Sequence, residues 1–267
     1  PYMRTPGDID IYLSGGRKKI MTYVDQVCPN QVMRYHHVDF PVMKTAIEVH
    51  FTPSYMFYPI HNRRMQKWFE KVMGEQCNHR VSLPDGYGEI HVPQVSFNVI
   101  YILSHLYRHI FTEGIGLRQL LDYYFVLVKW HTDLTNLTDS NKSLPQMTQI
   151  NTDLDTLRHE LKYLGLWKFA QAVMFVMKEV FGLSEDRMIA PMDEREGSFL
   201  LDEIMRGGNF GQYDDRMGSK VGESKIHRYF RMNLRNLRFV KHYPTEALSE
   251  PLFRTWFAVW KKIHGIK

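Results

Sequence analysis

At 267 residues and 31.7 kDa, with 44% hydrophobic and 24% charged residues, the chain has an ordinary globular composition and enough length for two lobes. No stretch approaches the roughly 20 uninterrupted apolar residues of a membrane span, and two cysteines, Cys28 and Cys77, exclude a disulfide framework and a zinc site of recognised spacing. The net charge of +5 and a pI near 9.0 favour polyanionic partners such as nucleotides, nucleic acid or acidic surfaces, without selecting one.

The first element follows almost at once. Pro6-Gly7 marks a turn, and residues 8–13 alternate polar and apolar with period two, which predicts a strand. Asp8 and Asp10 then share one face, with Ile9 and Ile11 on the other. Two neighbouring carboxylates repel unless a cation lies between them, and Mg²⁺ favours one or two carboxylates plus phosphate oxygens. For a bare Asp-x-Asp, a solvated edge strand is the simpler reading. Since the chain opens at Pro1, so close to this strand, an upstream portion is expected to be missing.

Ser14-Gly15-Gly16 leads into a helix over residues 17–27, with Ile20, Tyr23, Val24 and Val27 on one stripe. A glycine pair at a helix start can cradle a phosphate, but without a Walker-type lysine the stretch reads as a loop. Residues 31–40 and 45–51 read as two strands joined by a turn at Pro41. In the second, Ala46, Glu48 and His50 face one way and Ile47, Val49 and Phe51 the other. Glu48 is thus a third strand carboxylate, with His50 beside it, a pattern suited to the wall of a polar cleft. An aromatic loop (Tyr55, Phe57, Tyr58) precedes a helix over residues 62–73, and residues 81–92 suggest a hairpin.

From residue 95 the pattern is helical, which places a lobe boundary between 94 and 95. Helices are expected over residues 96–110 and 117–130, the second turning Leu120, Leu121, Tyr124, Phe125 and Val128 inward and carrying Arg118, Gln119 and Asp122 on its first turns. Residues 131–148 read as either a long loop or a polar connection, 152–164 and 166–181 as helices, 188–196 as a loop and 198–205 as a short helix. Residues 206–222 are glycine-rich and expected to be mobile. Two final helices span 225–241 and 250–263. In the former, Ile226, Tyr229, Phe230, Leu234, Leu237 and Val240 form the expected buried stripe, and Arg228, Arg231, Arg235 and Arg238 the solvated one.

Three stretches together resemble a known family. Arg4-Thr5-Pro6-Gly7-Asp8-Ile9-Asp10, then Ala46 through Phe51, then His105-Leu106-Tyr107-Arg108-His109 continuing from Glu113 to Asp122 are similar to the uncharacterised nucleotidyltransferase family of Bacteroidetes, within the polymerase-beta-like nucleotidyltransferase superfamily. The likeness runs from residue 4 to about 240. It implies an α+β fold: a nucleotidyltransferase-like lobe with a mixed β-sheet over residues 1–94, followed by an all-helical lobe over 95–267. It also implies transfer of a nucleoside monophosphate from an NTP. Asp8, Asp10 and Glu48 would hold Mg²⁺, or Mn²⁺ in its place, and Glu48 would help deprotonate an acceptor hydroxyl. Arg4, Gly7 and Arg118 are the implied nucleotide contacts, and His50, Gln119 and Asp122 further cleft candidates. Superfamily members carry a glycine-rich, triphosphate-gripping helix start upstream of the Asp-x-Asp strand. Only seven residues precede Asp8, so this element is expected to be absent from the chain as given.

Two other classes of function stay open. One is a non-catalytic nucleotide- or partner-binding module that kept the fold. The other is a metal-dependent hydrolase using His105 and His109, which share a helix face four residues apart. The acceptor is not identified by any motif. Nucleic acid is not favoured over a small molecule, and a cytoplasmic location fits the cysteine usage.

Overall fold

A computed structural model describes residues 7–41, 45–76, 78–140, 146–208, 214 and 224–266. The architecture is α+β, a small mixed sheet followed by a mainly helical region. The chain divides into two compact units, Pro1–Tyr55 together with Pro251–Lys267, and Met56–Glu250. No described helix is long and apolar enough to cross a membrane.

In the first unit, β1 (Ile9–Tyr12), α1 (Gly16–Val27), β2 (His37–Asp39) and β3 (Ile47–His50) form a three-stranded sheet of order β1-β3-β2 with one helix against it. β1 runs parallel to β3, and β2 antiparallel to it. The alternation expected for β1 and β3 sorts the two faces. Val38 and Val49 pack with Ile20 and Val24 of α1, joined by Leu13, Met21, Phe40, Ile47 and Phe51. Gly15 and Gly16 both adopt positive φ at the mouth of α1, which a side chain would resist.

The strand expected over residues 31–40 is instead a tight reversal. Met33 bridges Val38, and the Asp39 amide donates to the Val32 carbonyl at 3.2 Å, so only His37–Asp39 remains in the sheet. Tyr35, at the tip, gathers the aromatic side chains of the unit: Tyr55 at 4.6 Å, Phe253 at 4.8 Å and Phe257 at 5.6 Å between ring centroids. Arg17 donates to the Tyr35 carbonyl at 2.9 Å and lies over the Phe51 and Trp260 rings. Burial pulls its pKa below the ordinary arginine value. The last turns of the chain are therefore part of this unit.

The second unit holds α2 (Pro59–Gln76), a hairpin of β4 (Arg80–Ser82) and β5 (Glu89–His91), and the helices α3 (Val95–Thr112), α4 (Leu117–Ser140), α5 (Gln146–Tyr163), α6 (Trp167–Phe181), α7 (Glu194–Gly207) and α8 (Lys225–Val240). The final helix, α9 (Pro244–Ile263), has its first turns here and continues past the division at Pro251. α6 has a continuous buried face, with Phe169, Ala170, Ala172, Val173, Met174, Val176 and Met177 all enclosed. α7 lies close against it: a Cβ on Gly197 would fall 2.4 Å from the Phe175 Cβ. The loop expected over 188–196 is shorter than that, because Asp193 caps α7 by accepting the Glu196 amide at 3.0 Å.

Three expectations change. α4 does not end at Trp130 but continues through the polar residues to Ser140. Its buried positions are Leu120, Tyr123, Leu127 and Trp130, while Leu121 and Phe125 are exposed. The Tyr123 hydroxyl donates to the Val99 carbonyl at 2.9 Å, and that bond selects the inward side. In α8 most of the expected buried stripe is exposed, although Arg228 faces solvent as expected. Ile226 is 68% exposed and Leu234 66%, whereas Arg235 and Asn236 are buried. Arg235 and Asn236 turn inward because they find partners there. Arg235 pairs with Asp214 at 3.6 Å, and Asn236 donates to the Phe111 carbonyl at 3.0 Å and to Glu250 at 3.1 Å. The aromatic loop is packing of a specific kind. The Phe57 and Tyr58 amides donate to the buried Glu246 carboxylate at 2.7 and 3.1 Å, and His61 Nδ1 lies 3.1 Å from its other oxygen. The glycine-rich stretch over 206–222 falls largely outside the described residues.

Candidate functional site

The polar face of the three-stranded sheet follows directly from its register. Parallel pairing sets Asp10 opposite Glu48 and Tyr12 opposite His50. Antiparallel pairing sets Asp39 opposite the same Glu48 and His37 opposite the same His50. With a period of two, these residues fall into two rows on one face, an acidic row of Asp10, Glu48 and Asp39 and a second row holding His50 and His37. The valine side of the same strands is anchored on α1, which prevents a one-residue slip from turning the carboxylates inward.

Distances confirm the convergence. His50 Nε2 lies 3.1 Å from Asp10 Oδ1 and 3.5 Å from Glu48 Oε2. His37 Nδ1 lies 3.1 Å from the same Glu48 oxygen, and His37 Nε2 lies 3.8 Å from Asp39 Oδ1. His50 is buried, while Asp10 is exposed and Glu48 partly so. Burial alone would lower the His50 pKa, but its hydrogen bonds to Asp10 and Glu48, and their charges, outweigh that and raise it to about 9.

Such a face suits a divalent cation. One ligand atom each from Asp10, Glu48 and His50 lies within 4.8 Å of the others, so the three could hold one ion. Solvent access on the carboxylate side leaves room for the further oxygen ligands that hard divalent cations take. A second overlapping group, His37, Asp39 and Glu48, meets the same test.

The remaining residues named from sequence are placed as follows. Asp8 is exposed one position ahead of β1, on the same side as Asp10 by alternation, and Gly7 precedes it in open surroundings. Arg4 lies outside the described residues. Arg118, Gln119 and Asp122 sit on the first turns of α4 in the second unit, where Gln119 Oε1 accepts the Gly116 amide at 3.0 Å and so shapes the helix entry. His105 and His109 do meet on α3, with Nε2 atoms 2.7 Å apart. Arg108 Nη2 lies 3.4 and 3.2 Å from their ring nitrogens, which places a cation already between them.

Sequence reading missed His36, His37 and Asp39. The signal was present: His37-Val38-Asp39 carries the same polar-apolar-polar alternation as Glu48-Val49-His50, in reverse order, as an antiparallel neighbour would.

A mixed sheet that presents opposed carboxylates and a buried imidazole on one face defines an α+β protein with an acidic candidate cation site. A family model described as uncharacterised nucleotidyltransferase matches residues 1–151, more than half of the chain, and the chain belongs to that family. No curated protein and no solved structure matches it.

Proposed function

We propose that the chain is a Mg²⁺-dependent nucleotidyltransferase that moves a nucleoside monophosphate from an NTP to a hydroxyl acceptor. The observation that carries this reading is the pairing of Asp10 with Glu48 across parallel strands, with His50 joining them from behind. Asp8 and Asp10 are the proposed holders of the cation, and Glu48 completes the set. When bound, Mg²⁺ neutralises charge on the triphosphate and sharpens the attacking oxygen.

The protein's own groups supply the rest. Glu48 takes the proton from the acceptor hydroxyl as the hydroxyl oxygen bonds to Pα, while the bond from Pα to the bridging oxygen breaks and pyrophosphate leaves. His50, hydrogen-bonded to both Asp10 and Glu48, fixes the angle of each carboxylate. It is a positioning residue in this scheme.

The test is calorimetry with Mg²⁺ and each common NTP, together with release of pyrophosphate in the presence of candidate hydroxyl acceptors. Metal-dependent NTP binding that disappears in Asp8→Ala/Asp10→Ala supports the reading. NTP binding that is indifferent to that double substitution points instead to a non-catalytic binding module, and absence of both metal and NTP binding overturns both.

A further inference from the structure

The carboxylates account for only part of the polar face. Behind them three imidazoles are packed together. Ring centroids lie 4.5 Å apart for His36 and His37, 4.9 Å for His36 and His50, and 5.0 Å for His37 and His50. All three side chains are buried, and one ring nitrogen from each lies within 4.8 Å of the other two.

The backbone holds this trio in place. The His36 carbonyl accepts the Phe51 amide at 3.0 Å, and β2–β3 pairing sets His37 opposite His50. Carboxylates stand where they would orient ligating rings. Glu48 Oε2 lies 3.1 Å from His37 Nδ1, and Asp10 Oδ1 lies 3.1 Å from His50 Nε2. A metal-bound histidine commonly gives its second ring nitrogen to such a carboxylate. In His50 that leaves Nδ1, which is buried without a hydrogen-bond partner among the described residues. An unpaired buried ring nitrogen is costly unless a ligand meets it.

Donor chemistry then selects the ligand. Mg²⁺ takes oxygen ligands, whereas imidazole nitrogens suit zinc, cobalt, nickel and their neighbours. We propose that His36, His37 and His50 form a site for one borderline divalent transition metal of the zinc or cobalt class. The site lies beside the Asp10–Glu48 pair and shares His50 with it. It does not depend on the nucleotidyltransferase reading, because its ligands, its metal preference and its test involve no nucleotide.

The wild-type chain, stripped with a chelator, is titrated with Zn²⁺ by calorimetry in the presence of excess Mg²⁺, and the zinc-loaded protein is studied by X-ray absorption. The expected result is one equivalent of Zn²⁺ bound at least 100-fold more tightly than Mg²⁺, with two or more imidazole ligands in the absorption spectrum. His36→Gln is expected to weaken Zn²⁺ at least tenfold without changing the response to Mg²⁺, and His105→Gln to leave Zn²⁺ binding unchanged. Lack of imidazole scattering in the wild type overturns the proposal, and that measurement needs no variant to fold. So does Zn²⁺ binding that survives His36→Gln, or that is lost in His105→Gln.

Discussion

His50 Nε2 lies 3.1 Å from Asp10 Oδ1, joining the third strand of the chain to the first through one buried ring. In the metal-free protein this contact has a definite pH signature. The His50 pKa stands at about 9 against an ordinary 6.5, so the folded state holds that proton more tightly than the unfolded chain does. The contribution, of order 3 kcal/mol, is fully present below pH 6.5 and is lost as pH rises through 9. Urea unfolding in a chelating buffer at pH 6 and pH 9 should show wild type losing more stability than His50→Gln. Equal losses in the two proteins would refute the assignment.

A bound cation should stabilise the fold by mass action. At a Mg²⁺ concentration near 100 Kd the gain is about 2.7 kcal/mol, visible as a rise in Tm that a chelator reverses. In Asp10→Asn this rise should vanish. A Tm rise retained in that variant would place the cation elsewhere.

Glu48 is proposed to take the acceptor proton, a role worth about 10²–10⁴-fold in rate. Once the acceptor is in hand, Glu48→Gln should lower kcat by that range, with NTP binding less affected than in Asp8→Ala/Asp10→Ala. A variant with undiminished kcat would remove Glu48 from the chemistry.

Within the helical unit, the approach of α7 to α6 depends on a missing side chain. Gly197→Ala would set its methyl group 2.4 Å from the Phe175 Cβ, which cannot swing away as the end of a flexible chain could. Overpacking of this kind costs about 1–3 kcal/mol, and chemical denaturation would measure it. Phe175→Ala in the same background keeps Cβ but removes the ring carbons Cγ and Cδ1, which lie at the same 2.4 Å, and should recover part of the loss from the clash.

Two positions two residues apart on α8 should respond in opposite ways to what their chemistry suggests. Leu234 faces water, so Leu234→Gln should change stability by less than about 0.5 kcal/mol. Asn236 is buried and bonded to the Phe111 carbonyl and Glu250, so Asn236→Ala should cost about 2 kcal/mol or more. The reverse ranking in urea unfolding would restore the simple amphipathic reading.

That contrast shows where the sequence was readable. Alternation in β1 and β3 sorted Asp8, Asp10, Glu48 and His50 from the aliphatic residues correctly, because side-chain direction in a strand is a local property. Which strands would be neighbours is not local, so His37 and Asp39 were passed over although their spacing matched. Helix α8 displayed two clear sides, but periodicity says only that the sides differ. The inward side was decided by Asp214, Glu250 and the Phe111 carbonyl, which are remote in sequence or silent in it. The same holds for the Phe57–Tyr58 loop, whose anchor, Glu246, comes 189 residues after Phe57.

The position of β1 at the margin of its sheet has a consequence beyond the proposed chemistry. Among the described residues its outer edge pairs with no other strand, and Ile9 and Ile11 are partly open to solvent. An open edge of that kind invites a second copy to add on, and charged side chains are a common safeguard against it. Asp8 and Asp10 would meet their own counterparts in such a pairing and repel them. Neutralising both would therefore do more than empty the proposed cation site: it would remove the guard against strand-by-strand aggregation, so solubility belongs beside activity when the double variant is assessed.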